Sequence, residues 1–267
     1  MAVTIVLTNQ KGGVGKTTTA AALAAGLVRD GRRVLAVDLD PQGNLGFSLG
    51  LDIDDSLTIY DVFRNQTPLR EAVHHTDGCD VIPSNILLSE AEIEFQNQNR
   101  VTLLKDNLAE VGKEYDFVII DTPPSLNILT LNAYAASDYL IIPMAAEILS
   151  LVGLIQLQET VEAVRESVNP YLNVLGILLT KFNKRLRLSA DVLEMAGTAA
   201  AQTQTSLFQT KIRTGVAAAE APAHGADIFT YAPRSNPAKD YQMFIQEVIE
   251  RIGQQHTGRK RRIISYE

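Results

Sequence analysis

The chain alternates short apolar runs with longer stretches in which apolar positions recur every three or four residues. The first kind reads as buried strand and the second as amphipathic helix; their alternation is the pattern of a parallel sheet covered by helices. Strands are predicted at residues 3–7, 33–37, 79–83, 115–121, 138–143 and 176–180, with a last short one at 207–212. Helices are predicted over the Ala-rich stretch 19–27 and over 89–95, 101–111, 148–168, 189–203 and 238–252. Ser56 or Thr58 caps a short helix through Phe63, and Pro68 starts another at 69–73. No internal repeat and no Gly/Ser/Pro-rich linker interrupts the series. Residues 1–255 are therefore expected to form one α/β domain, a three-layer, doubly wound, mainly parallel sheet with helices on both faces.

Between the first strand and the first helix lies Lys11-Gly12-Gly13-Val14-Gly15-Lys16-Thr17-Thr18. In a strand–loop–helix context the glycines let backbone N–H groups close round a phosphate, and the helix start adds its partial positive charge. Lys16 is placed to reach the terminal phosphates of a nucleotide, and the Thr17 hydroxyl to ligate Mg²⁺. Gln10 stands where the general phosphate-loop pattern has glycine, and a second lysine, Lys11, heads the loop.

Two later strands end in acid. One runs into Asp38-Leu39-Asp40-Pro41-Gln42-Gly43-Asn44, where Pro41 and Gly43 force a loop; the other, apolar on both faces, ends in Asp121-Thr122-Pro123-Pro124. Asp38, Asp40 and Asp121 thus share the carboxyl edge of the sheet, where open α/β sheets bind ligands. Paired with a phosphate loop, Asp121 reads as the residue that holds Mg²⁺ through its waters. After the 176–180 strand comes Lys181-Phe182-Asn183, without the acidic residue of a guanine-reading N-K-x-D signature; Asn183 offers adenine both a donor and an acceptor, which favours ATP over GTP.

Composition narrows the class. At 267 residues, 46% hydrophobic and 21% charged, the chain can bury a substantial core. The single cysteine, Cys79, rules out an internal disulfide framework, makes a cytosolic compartment the default, and is expected in the core. No apolar run is long enough for a membrane span. His74 and His75 read as solvated and are assigned no role. A formal net charge of −7 gives no global pull toward nucleic acid, so such binding needs a local patch. One candidate is Lys181, Lys184, Arg185 and Arg187, followed by Lys211 and Arg213; it reads as a phosphate-backbone footprint or as a solvated loop. The basic residues of 256–267 form a second candidate, a flexible tail that aids DNA contact or is merely solvated.

The loop Lys-Gly-Gly-Val-Gly-Lys-Thr-Thr resembles the deviant Walker A loop of the ParA/MinD group of P-loop ATPases. The D-x-D-P-Q and D-x-P-P segments resemble the same group, and the likeness to ParA/Soj partition ATPases extends over nearly the whole chain, loosely across 51–110. The resemblance implies a P-loop fold and weak intrinsic Mg²⁺-dependent ATP hydrolysis. Lys16 would act in cis, while Lys11 would reach across a homodimer to the partner's nucleotide. Asp40 would orient the attacking water, with Asp38 supporting the loop or the surroundings of Mg²⁺. It further implies an ATP-bound sandwich dimer that coats double-stranded DNA without sequence preference and is released when a ParB-type centromere-binding partner stimulates hydrolysis. Such a protein is cytoplasmic and nucleoid-associated, with no integral membrane association. Arg185 matches an arginine that these ATPases use on DNA, whereas Thr214 and Ala217 stand where further arginines are common. The alternative within the group is a MinD-like, membrane-cycling ATPase.

Overall fold

In the buried strands successive side chains enter two separate cores. Val6, Leu35, Val37 and Ile120 belong to one, and their neighbours Ile5, Leu7, Ala36 and Ile119 to the other. That division fixes three layers, because a strand buried on both faces needs helices on both. The computed structural model describes residues 2–52, 56–97, 100–147 and 152–264. Its strands are β1 (Val3–Leu7), β2 (Val34–Asp38), β3 (His74–His75), β4 (Asp80–Ile82), β5 (Phe117–Asp121), β6 (Tyr139–Ala145) and β7 (Asn173–Thr180). They pair in the order β3-β4-β2-β5-β1-β6-β7, all parallel except the short edge strand β3.

The helices are α1 (Lys16–Arg29), α2 (Asn44–Ser48), α3 (Ile59–Phe63), α4 (Leu88–Asn97), α5 (Leu103–Leu108), α6 (Ile128–Ala136), α7 (Val152–Ser167), α8 (Arg187–Gln202), α9 (Ala217–Ala223), α10 (Ile228–Tyr231) and α11 (Asn236–Ile264). Helices α3 to α8 cover the first core and α1, α2 and α9 to α11 the second. Alanines line α1 because it is buried on several sides, and Gly26 lets α11 approach closely: a Cβ there would meet the Ile245 side chain.

Several local readings are resolved. Thr58, not Ser56, starts α3, in a capping box with Asp61. The 69–73 helix is a single 3₁₀ turn at Leu69–Ala72, and α5 is shorter than the 101–111 stripe. His74 and His75, read as a solvated helix end, form instead the edge strand β3, with His75 exposed. Helix α6 was not anticipated; its start is capped by Asn127, whose side chain accepts from Leu129 and Thr130. Segment 207–212 runs beside β7 but keeps only isolated bridges, because Glu247 takes the N–H groups of Gln209 and Thr210. Helix α11 continues past the expected end at 252 through the basic stretch to Ile264.

Strand register positions the site. Leu7 lies beside Asp121, and Asp121 beside Asp38, so the phosphate loop and both acidic strand ends leave one edge of the sheet side by side.

Candidate active site

The loop between β1 and α1 is braced along its length. The Thr8 hydroxyl pairs with the Tyr134 hydroxyl at 2.8 Å, and Thr122 donates to the carbonyl of Leu7 at 2.8 Å. Asn9 accepts from the N–H of Lys11 at 2.9 Å and donates to the carbonyl of Pro143 on β6 at 2.8 Å. Gly13 and Gly15 take left-handed conformations, φ 71° and 86°, which other residues adopt only at a cost. Helix α1 then begins with no side-chain cap and no acidic residue in its first turn. Its N–H groups and dipole are left for an anion.

In front of the loop opens a cavity of about 770 Å³. Gly12, Gly13, Gly15, Lys16, Thr17 and Thr18 line it together with Asp40; Thr180, Lys181 and the segment Ile212–Val216 close the other side. Val14 turns its side chain into the core and contributes backbone alone. Lys16 is buried, 6% exposed, with its ammonium 3.4 Å from the carbonyl of Lys11. Burial lowers its pKa, and the charges of Asp121 and Asp40 oppose that shift.

The three aspartates differ in their surroundings. Asp38 is fully buried; one carboxylate oxygen accepts from the N–H of Asp40 and the other from the N–H of Leu45, each at 2.9 Å. It therefore shapes the loop that carries Asp40 and the start of α2. Burial and the neighbouring Asp121 push its pKa well up. Asp40 stands at the cavity wall with one oxygen taken by the N–H of Gln42 at 3.0 Å. Asp121 is fully buried and neither of its oxygens has a hydrogen-bond partner. Burial raises its pKa to about 7; the Thr17 hydroxyl, outside hydrogen-bonding geometry, and the Lys16 ammonium hold it back. Two unpartnered buried oxygens facing a threonine hydroxyl form a donor set suited to a hard divalent cation such as Mg²⁺.

Lys11 lies apart from this cavity. Its ammonium donates to Glu147, just beyond β6, at 2.7 Å. Lys11 and Lys181 together hold the Glu147 carboxyl below its ordinary range. Lys181, at the cavity wall, adopts φ 51°. Asn183 accepts from the N–H of Arg185 at 3.1 Å and lines an adjoining cavity with Lys184 and Arg185, which shares Arg213 and Thr214 with the first.

The structure divides the cations assigned to DNA. Lys184 and Arg185 are exposed on the turn after β7. Arg187 opens α8, and its side chain lies outside the described residues. Arg213 is committed elsewhere: its guanidinium binds Asp240 on α11 at 2.6–3.1 Å, and its N–H donates to the same carboxylate at 2.9 Å. The Asp240 side chain is only 3% exposed, so Arg213 anchors the loop that packs against Phe182.

Sequence reading missed Asn9, Thr180 and Glu147, whose partners lie 136 to 166 positions away for Thr180 and Glu147, and 134 for Asn9. Only Asn9, a polar residue directly after a buried strand, carried a local signal.

Residues 2–174 match the AAA domain family. The chain is 41% identical over 251 residues to the chromosome partitioning protein ParA of Myxococcus xanthus, covering 92% of this chain and 88% of that protein. It is also 41% identical over 248 residues to the sporulation initiation inhibitor protein Soj of Bacillus subtilis, covering 91% and 97%. Among solved structures, the cobyrinic acid a,c-diamide synthase of Mycobacterium smegmatis with bound ADP and magnesium superposes with a TM-score of 0.80 at 36% identity, over 92% and 93% of the two chains. With an α/β P-loop fold, a deviant phosphate loop and strand-end aspartates in register, the chain belongs to the ParA/Soj family of partitioning ATPases.

Proposed function

We propose that this chain is a Mg²⁺-dependent ATPase that drives DNA segregation as a nucleotide-controlled switch. The observation that carries the reading is that Lys16, Thr17 and Asp40 line one cavity, at the sheet edge where Asp38 and Asp121 end their strands side by side, with Lys11 outside it. Glycine-loop N–H groups and Lys16 bind the phosphates; Thr17 and Asp121 are the residues that hold Mg²⁺, which when bound neutralises phosphate charge. Asp40, at the cavity wall and less buried than Asp38, orients the attacking water. Lys11, paired with an exposed glutamate in the single chain, is exchanged onto the partner's nucleotide when an ATP-bound homodimer forms.

The dimer holds double-stranded DNA through Lys184 and Arg185, with Arg187 beside them, and localises with the nucleoid. A ParB-type partner stimulates hydrolysis and releases it. Among the described residues no helix is long and apolar enough to cross a membrane. The continuation of α11 to Ile264 favours the second reading, a MinD-like grip on a membrane surface.

The deciding experiment is co-sedimentation of wild type, Lys16→Ala, Asp40→Ala and Arg185→Glu with DNA or anionic liposomes, in ATP, ADP or no nucleotide. Wild type should bind DNA in ATP alone, and Lys16→Ala and Arg185→Glu should not. Asp40→Ala should bind ATP, fail to turn it over and stay on DNA. Binding to liposomes but never to DNA overturns the partition reading.

A further inference from the structure

Thr180 ends β7, on the side of the sheet edge away from the aspartates. Its hydroxyl donates to the carbonyl of Val14 in the phosphate loop at 2.8 Å, joining positions 166 apart. Both residues are buried, 3% and 1% exposed. The Thr180 methyl would lie 3.9 Å from a Cβ at Gly15, so its two branches both bear on the same turn. The strand end is itself fixed, since the carbonyl of Thr180 accepts from the N–H of Ala146 at 3.0 Å.

The consequence follows from peptide geometry. The carbonyl of Val14 and the N–H of Gly15 belong to one planar trans peptide and point in opposite directions. Holding that carbonyl against β7 turns the Gly15 N–H the other way, toward the inside of the loop. Gly15 has φ 86° and Gly13 φ 71°, so the peptides of this turn have unusual rotational freedom. Helix α1 offers no capping side chain that could restrict it.

We propose that Thr180 is a positioning residue of the phosphate site, whose hydroxyl fixes the Val14–Gly15 peptide so that the Gly15 N–H is aimed at a nucleotide phosphate. This rests on the cavity being a nucleotide site, and it deepens that reading: Thr180 acts on the phosphates through the loop and not by touching base or ribose. Removing the hydroxyl leaves the Val14 carbonyl buried without its donor and the peptide free to rotate.

The test is calorimetric binding of Mg·ATP and of magnesium tripolyphosphate, which has phosphates but no nucleoside, to wild type, Thr180→Val and Thr180→Ser. Thr180→Val should weaken both ligands by the same factor, about tenfold. Thr180→Ser, which keeps the donor, should stay within about twofold of wild type. Thr180→Ala gives the same reading without setting a methyl against the Val14 carbonyl, should Thr180→Val not fold. The proposal is overturned if the hydroxyl-free variants bind tripolyphosphate as tightly as wild type. In that event loss of ATP binding alone assigns Thr180 to the nucleoside, and a lowered melting temperature with unchanged binding assigns it to the fold. Failure of wild type to bind either ligand overturns the nucleotide site itself.

Discussion

Asp121 shows how a site is held at the expense of the fold. A carboxylate with no hydrogen-bond partner at full burial is costly: burial pushes its pKa up to about 7, with the Thr17 hydroxyl and the Lys16 ammonium holding it back. Asp121→Asn removes the charge while keeping the shape. At about pH 8, above that pKa, the ligand-free variant should melt several degrees higher than wild type and lose the extra stabilisation that Mg²⁺ gives with ATP. Thermal melts with and without Mg·ATP read both effects; a lower melting point would show that the pairing with Lys16 outweighs burial. Cys79 gives a second residue-scale case, with no catalytic part. Burial, aided by Asp80 and Asp227, raises its thiol to about 12. The unfolded thiol ionises near pH ~8.5 and the native one does not, so the native state holds more protons between those values. Its contribution is whole below that window and is lost as pH rises through it, by about 1.4 kcal/mol per pH unit. Cys79→Ala should flatten the alkaline fall of the urea midpoint, and iodoacetamide should label the native thiol only as fast as the protein opens.

At the scale of elements, a joint between α2 and α9 decides how the Asp40 loop is held. Gly50, just after α2, has φ 83°, and a Cβ there would stand 2.7 Å from the carbonyl oxygen of Gly225, which itself has φ 57°. Backbone meets backbone, and no side chain can move aside. Gly50→Ala should cost about 2–4 kcal/mol, the left-handed penalty plus the contact, measured by urea unfolding. Because Asp38 grips both the N–H of Leu45 in α2 and that of Asp40, the displacement should reach turnover as well. ATP hydrolysis should fall further than ATP affinity; equal losses would mean that the joint matters to stability alone. The same comparison shows what could be read from the sequence. The buried strands, the glycine loop and the acidic strand ends were legible because each is a local pattern: a run of apolar residues, a turn that only glycine allows, a charge at the end of a hydrophobic strand. Helix α6 was hidden because its Asn127 cap follows a Pro-Pro-Ser turn that reads as loop. The left-handed turn at Lys181 was not legible, since that residue is not glycine. Thr180 and Glu147 were invisible for another reason: each acts through a partner brought near by folding alone.

For the molecule as a whole, the proposed function asks how a chain of net charge −7 would hold a polyanion. Self-repulsion from the acidic surface falls away within about a Debye length, ~8–10 Å at physiological salt, so a few exposed cations can govern one face. The cations proposed for DNA differ in their surroundings. Lys184 and Arg185 stand exposed on the turn after β7, whereas Arg213 neutralises the buried Asp240 and ties its loop to α11. The two kinds should differ in salt dependence. Each cation that displaces counterions from DNA steepens the fall of log K with log salt, by about 0.9 in the magnitude of the slope. Arg185→Ala should therefore lower the slope for the ATP-bound protein by about one, with an unchanged melting temperature. Arg213→Ala should leave Asp240 buried without its partner and lower the melting temperature by several degrees, while at temperatures where the variant is folded the slope stays close to that of wild type. Binding isotherms on a nonspecific duplex at four or five salt concentrations, alongside thermal melts, distinguish the two. A slope that drops by one for Arg213→Ala would mean that the guanidinium leaves Asp240 for DNA in the ATP-bound state, making the ion pair a reserve of positive charge and not an anchor.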